Sequence, residues 1–479
     1  MHQPDPSQPP PATHAGATAF SPLSAAALDA IHLSTLDLLA TTGIWVGSAE
    51  LLAIAADHGL NCANDRIRFD ADHIDQALAR AGREVSLIAR NPAKSVVLRQ
   101  GASLIGMGRS APFITLPGGR QRPATGADYI EFTKLGHMLA EIDLPGQLAF
   151  PGDIPTDRVY RFMMVNQIRF SDKPLCLLHE SDLDPLCRTF AINRQTLAAG
   201  PDSGIAWAQT TVNTHSPLAI SKDQGDYLVV MARNGIPISI SPTPATGSSG
   251  PCSLIGNLVL NNAEVLATLV LSQLIRPGLA VLYGSFPCAS DMRSMMATYG
   301  GPETRKMEAA ASQLARRYGL LSRGNVCISD AQDIDFQAGA ESLFNLISAL
   351  SSGISFLPGC GIAGGFASAS REKLILDADL VAAARHFFDP LTLNGLDQAV
   401  ALIKEIGPKG NFITAPHTFA TFKKELFHPT VMARISQEKW VDRNETIGQQ
   451  AARRADRLLQ SYSRPELDPA LEKYLENLL

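Results

Sequence analysis

The sequence predicts a (β/α)8 barrel, and three observations carry that prediction. Short apolar runs recur from residue 147 onward, each is apolar on both faces, and each is separated from the next by a long amphipathic stretch. The runs occupy 147–150, 174–179, 204–210, 237–241, 280–286, 325–329 and 354–359, and helical patterns fill 156–170, 182–196, 217–233, 257–275, 302–318, 338–351 and 371–387. Seven consecutive strand–helix units exceed what most open sheets offer. A closed barrel with an eighth strand at 103–108 or 113–117 is the economical architecture, and an open doubly wound sheet is the alternative.

Taken in order, residues 1–21 are rich in Pro, Gln, His and Ala and are expected to form a disordered tail. Residues 22–100 predict a small α+β segment, with helices in "AAALDAIHLSTLDLLATTG", "SAELLAIAADHG" and "DADHIDQALARAG" and strands in "RIRF" and "VSLIA". Ser48 is a helix start there, and Gly43 and Gly59 are stops. The barrel is expected over 101–400, and 401–479 as a helical segment packing on it.

Composition narrows the function. A chain of 479 residues with 45% hydrophobic and 18% charged residues has ample core, which excludes a disordered protein. A net charge of -5, with no Lys and Arg cluster interleaved with aromatics, excludes a nucleic-acid partner. No Lys or Arg precedes Arg66, so a secretory n-region is missing, and the apolar run Leu254–Ile275 is broken by Asn257, Asn261, Asn262 and Glu264 at helical spacing. These features predict a cytoplasmic protein without a membrane span. The seven cysteines form no CxxC pair and the eleven histidines no HxxxH, so no metal is expected.

Barrel chemistry belongs at the carboxyl ends of the strands. Small and polar residues follow the apolar runs in "PGD" (151–153), "HES" (179–181), "QTTVNTHS" (209–216), "PTPATGSSG" (242–250), "GSFPCASD" (284–291), "DAQDID" (330–335) and "GCGIAGG" (359–365). Gly359, Gly361 and Gly364 spell GxGxxG with Asp377 downstream, but the next helix starts near Ser370 rather than on the third glycine, so a dinucleotide site is not expected. Asp330, Asp333 and Asp335 lack the Gly and terminal Glu of a calcium loop. The loop "TGSSG" (246–250) is a candidate anion cradle, and Trp207, Tyr283, Phe286 and Phe356 are the aromatics on or just after strands.

Long collinear stretches then give a specific resemblance. Residues 216–285, "GGPE" (300–303), "ASQLARRYGL" (311–320), "SDAQDIDFQAG" (329–339), "EKLILDADL" (372–380) and "GPKGNFITAPHT" (407–418) resemble the trimethylamine methyltransferase (MttB-like) family, as do "AIHLSTLDLLATTGI" (30–44) and the tail around Trp440. The resemblance implies a (β/α)8 barrel that moves a methyl group from a methylated amine to the Co(I) of a separate corrinoid protein. The chain lacks a DxHxxG signature, so cobalamin is expected on the partner and none bound tightly in this chain. Members acting on trimethylamine carry pyrrolysine just before "SDA", and Ile328 stands at that position. This points to the branch without pyrrolysine, which resembles glycine betaine methyltransferase.

A quaternary ammonium leaves without protonation, so acids and aromatics suffice to orient it. Asp330 is the candidate catalytic residue. Trp207, Tyr283 and Phe356 are expected to line the cation pocket, with Gln209 and His179 as hydrogen-bonding groups and Glu303 and Asp153 as further candidates. His179 and "TGSSG" are candidate partners for a substrate carboxylate, and Glu264, mid-helix, for a structural role. A homo-oligomer is expected. A non-catalytic amine-binding barrel, or a lyase or hydrolase on a small polar substrate, are the competing readings.

Overall fold

The structure, a computed structural model, describes residues 20–199 and 205–479, so the expected tail lies outside the described residues as far as residue 19. Seven parallel strands make one sheet: β1 (Leu104–Met107), β2 (Leu175–Leu177), β3 (Ala208–Val212), β4 (Ile238–Ile240), β5 (Val281–Gly284), β6 (Leu321–Arg323) and β7 (Phe356–Cys360). Their spatial order is β1-β7-β6-β5-β4-β3-β2, so first and last strands are neighbours and the sheet curls on itself. The segment 144–149 fills the remaining gap. Its backbone bridges the β1 region in parallel at Gly106–Leu144 and Ala111–Ala149, and Gln147 Nε2 donates to the Cys176 carbonyl on β2 at 2.8 Å. The architecture is the predicted α/β barrel.

Strand parity sorts the side chains. Leu104, Leu144, Cys176, Ala206, Ala280, Leu282, Leu321 and Phe356 meet in one buried cluster, the barrel interior. Their alternates, such as Leu175, Ile238, Ile240 and Val281, pack outward against the helices. A small sheet of Val85–Leu87, Val96–Leu98 and Ile205–Ala206 adds Val85, Leu87 and Leu98 to the interior cluster. The amino end of the barrel is thereby plugged with apolar groups, and only the carboxyl end is free for polar chemistry.

The predicted strand 147–150 forms no strand, only the isolated bridge at Ala149; two further assignments change and the eighth-strand alternative is decided. The predicted strand 325–329 is displaced to Leu321–Arg323, because Gly319, at φ +67°, ends the preceding helix early enough for a strand to start at Leu321. Residues 324–326 still run along β7, through Gly324 N to Phe356 O and Val326 N to Pro358 O, until Cys327 turns the chain at φ +56°. The predicted run 204–210 divides: 205–206 joins the plug and Ala208–Val212 the barrel. Of the two candidates for the eighth strand, 103–108 is in the barrel, and Phe113–Thr115 sits in a separate four-stranded sheet.

Strand β5 ends on Gly284, where an added Cβ would lie 1.9 Å from the Ile240 carbonyl oxygen. That neighbour is backbone of the adjacent strand and cannot move aside. Gly284→Ala is therefore expected to cost about 3 kcal/mol, the upper range for overpacking, read as a lower urea midpoint.

The helix Leu254–Ile275 is long and apolar enough to cross a membrane by length and composition, but 78% of its apolar window is buried within the chain. Glu264 on it accepts from Thr214 Oγ1, from Ser216 Oγ at 3.0 Å and from Leu218 N at 2.9 Å, so it ties down the loop after β3 as a structural acid. At the C-terminal end, Ala451 and Ala455 of the helix Ile447–Gln460 join the core beside the helix Arg371–Phe388. The intervening helices Leu396–Ile406, Pro416–Glu425 and Gln437–Arg443 bury none of their residues.

Candidate active site at the carboxyl end of the barrel

Above the apolar plug the barrel interior becomes polar and cationic. Arg109, two residues past β1, is 7% exposed and donates from Nη1 to Thr211 Oγ1 at 2.5 Å and from Nη2 to Gln209 Oε1 at 2.9 Å, with Cys176 Sγ also in contact. Gln209 is fixed in turn by Nε2 to Ser239 Oγ at 2.8 Å. Arg323, the last residue of β6, is 7% exposed and donates from Nη1 to Ser241 Oγ at 3.1 Å, while its buried Nε has no partner among the described residues. Burial, and then repulsion by Arg109, lower the Arg323 pKa to about 9. The Arg109 guanidinium lies 5.8 Å over the Phe356 ring and that of Arg323 lies 5.2 Å over Phe286.

Phe286 begins an aromatic box whose rings pack on one another, so that only their outer faces are left for a ligand. It stacks on Tyr299 at 5.0 Å and 23°, and meets Phe366 edge-on at 5.0 Å. Phe366 holds φ +76°, a backbone conformation a bulky residue adopts only when its surroundings enforce it. Asp330 is fastened to the same box: its Oδ1 accepts from Tyr299 N and its Oδ2 from Gly300 N, both at 2.9 Å. Burial, outweighing these two hydrogen bonds, raises the Asp330 pKa above the ordinary 3.8. Asp330 and Glu303 together line a cleft of about 640 Å³ with Thr246, Asp291, Gln337 and Glu341.

The other sequence-predicted residues divide. Gln209 and Phe356 are in the barrel interior. Tyr283 and Trp207 are not, because strand parity turns Tyr283 outward, its hydroxyl on Asn262 Oδ1 at 2.9 Å, and Trp207 packs on the same helical layer. His179 stacks between Tyr227 and Tyr160 in a second cleft, with Nε2 3.0 Å from Gln224 Nε2. Asp153 accepts from Gly126 N at 2.8 Å and so pins the start of a helix. In the "TGSSG" loop the N–H groups of Thr246, Gly247, Ser248 and Gly250 are spent on backbone carbonyls. Ile328 is fully buried and its carbonyl accepts from Asn345 Nδ2 at 2.6 Å.

Asp335 caps the helix Phe336–Ser351 and Asp377 binds Gly361 N, so both acids have backbone-fixing tasks. Cys327, Cys360 and Asp377 bring ligand atoms within 4.8 Å of one another, but both Asp377 oxygens hold Lys373 Nζ at 2.7 Å, so an ammonium already supplies the cation. Sequence reading missed Arg109, Arg323, Tyr299 and Phe366. A strand placed at 321–323 would have exposed Arg323 as a strand-end residue, whereas Tyr299 and Phe366 lie in loops with no periodic signal.

Comparison with known proteins matches the family model "Trimethylamine methyltransferase (MTTB)" over residues 2–479. The chain belongs to the trimethylamine methyltransferase family. Within this methyltransferase family it is 32% identical to a glycine betaine methyltransferase of Desulfitobacterium hafniense over 450 residues, 93% of this chain and 94% of the relative. It is 25% identical to a trimethylamine methyltransferase of the same species, covering 94% of this chain and 92% of the relative. It is also 25% identical to a proline betaine:corrinoid methyltransferase of Eubacterium limosum, covering 81% of this chain and 82% of the relative.

Proposed function

We propose that the protein transfers a methyl group from a quaternary amine, glycine betaine or a close analogue, to the Co(I) of a corrinoid carried by a separate protein. The observation that carries the reading is the box of Phe286, Tyr299 and Phe366 joined to Asp330 at the barrel mouth. Aromatic faces and a carboxylate are what hold a cation that has no N–H to donate. In the reaction the C–N bond breaks, its electron pair stays on nitrogen as a neutral tertiary amine, and the methyl carbon bonds to cobalt, which passes from Co(I) to methyl-Co(III). No proton moves, so the chain's residues need only hold, orient and desolvate the ammonium. Ile328, which the resemblance aligns with pyrrolysine, is a fully buried aliphatic residue of the core, which fits a substrate that needs no added electrophile.

A partner must reach the mouth. The hairpin of Ala289–Ser290 and Ala297–Thr298 edges the cleft and carries Met292, Met295 and Met296 exposed by 57%, 61% and 63%, an adaptable apolar surface suited to the corrinoid protein. Mixing the protein with a reduced corrinoid partner and glycine betaine should convert Co(I) to methyl-Co(III) by absorbance. Binding of a quaternary amine with no conversion would replace the proposal with the amine-binding reading. Leu393, Ile403, Phe419 and Trp440, exposed between 55% and 81% on or beside helices that bury nothing in their own chain, support the homo-oligomer. Light scattering is expected to give a mass above 51.2 kDa.

A further inference from the structure

We propose that Arg109 and Arg323 form a carboxylate-binding subsite, so that the substrate is a zwitterion with its ammonium against the aromatic box and its carboxylate on the guanidiniums. The inference rests on the methyl-transfer reading for its second half and on the geometry alone for its first. Two guanidiniums buried in one barrel interior repel each other, and their partners are hydroxyls, an amide and a thiol. The nearby buried acid Glu308 is already committed: it holds Arg305 Nη1 at 2.7 Å and Asn325 Nδ2 at 2.7 Å. A pair of buried cations with no carboxylate in contact among the described residues is costly unless a ligand supplies the anion.

Two further groups point to a ligand. Arg323 Nε and the Ser285 hydroxyl, on residues 7% and 2% exposed, are both buried without hydrogen-bond partners among the described residues, and Ser285 lies between the end of β5 and Phe286. An arginine with free donors beside a free hydroxyl matches the lone pairs of a carboxylate. Phe286 links the two halves, since Arg323 lies against this ring and the ring is itself a wall of the box. The polarity of the site thus runs from cationic in the barrel interior to aromatic and acidic at the mouth.

The test measures binding and turnover separately. Calorimetry on the wild-type protein compares glycine betaine with choline and tetramethylammonium, which keep the quaternary nitrogen and lack the carboxylate, and adds acetate as a competitor. Glycine betaine is expected to bind about 100-fold more tightly than choline, from charge-assisted hydrogen bonds, and acetate to compete with it. Arg323→Gln is expected to remove most of that preference while leaving tetramethylammonium binding within about threefold, with folding checked by circular dichroism. Equal binding of glycine betaine and choline by the wild-type protein, or an unchanged preference in a folded Arg323→Gln, overturns the subsite. Carboxylate preference without methyl transfer to a corrinoid partner would keep the subsite and defeat the methyltransferase reading. Because the wild-type comparison decides by itself, a variant that fails to fold leaves the inference testable.

Discussion

Asp330→Asn is expected to lower kcat/KM for corrinoid methylation about 100-fold while the protein stays folded, an effect of the size that loss of one aligned electrostatic group produces. The carboxylate acts twice. It supplies the negative charge beside the box, and through Tyr299 N and Gly300 N it fixes the loop that carries the Tyr299 ring. An amide retains one acceptor, so one of the two N–H groups loses its partner and the Tyr299 wall loosens. Thermal melts should show a small shift beside the large kinetic one. Since burial raises the Asp330 pKa above 3.8, wild-type activity should fall on acidification with an inflection above that value, as the charge proposed to face the ammonium is neutralised. Unchanged turnover in Asp330→Asn would remove this residue from the mechanism.

Lys373→Met is expected to cost about 3–5 kcal/mol, the penalty for leaving one partner of a buried ion pair alone. Lys373 is 2% exposed, and its ammonium holds both oxygens of the fully buried Asp377 at 2.7 Å and the Cys327 carbonyl at 2.6 Å. Without it, a carboxylate is buried unpaired and the turn leading into Ile328 loses its anchor. Burial raises the Asp377 pKa even against the pull of Lys373. A carboxyl whose folded pKa is raised binds its proton more tightly in the folded state, so stability is gained as pH falls through that pKa. The deficit of Lys373→Met should therefore shrink on acidification and grow above it. Urea midpoints at two pH values measure this, and a deficit independent of pH would assign the loss to packing. Lys373→Met with Asp377→Leu should recover part of the stability, less the bond to Gly361 N.

Much of the barrel was legible because its units obey local rules. Ser370 and Asp335 cap helices where polar residues precede apolar repeats, and the two-faced apolar runs became strands at five of the seven predicted places. The misplaced run at 325–329 shows the limit. Its residues are buried and aliphatic, as a strand's would be, yet the ladder ends earlier, and "LSR" reads poorly as a strand because a buried arginine violates the apolar pattern. The site followed the same division. Asp330 stood out as an acid after the run 325–329, which is not itself a strand, whereas Tyr283 and Trp207, equally plausible in sequence, face the helices.

The amino-acid sequence alone determined the barrel class and the family, because periodicity and long collinear matches are properties of one chain direction. Only the tertiary structure decided which strand-end groups share a space. Arg109 and Arg323 lie 214 positions apart in the chain and share one barrel interior because the sheet closes. Phe286, Tyr299 and Phe366 form a box only because loops from separate units converge above the same barrel end. Charge and shape in the pocket are sums over such distant groups, and no local pattern records that sum.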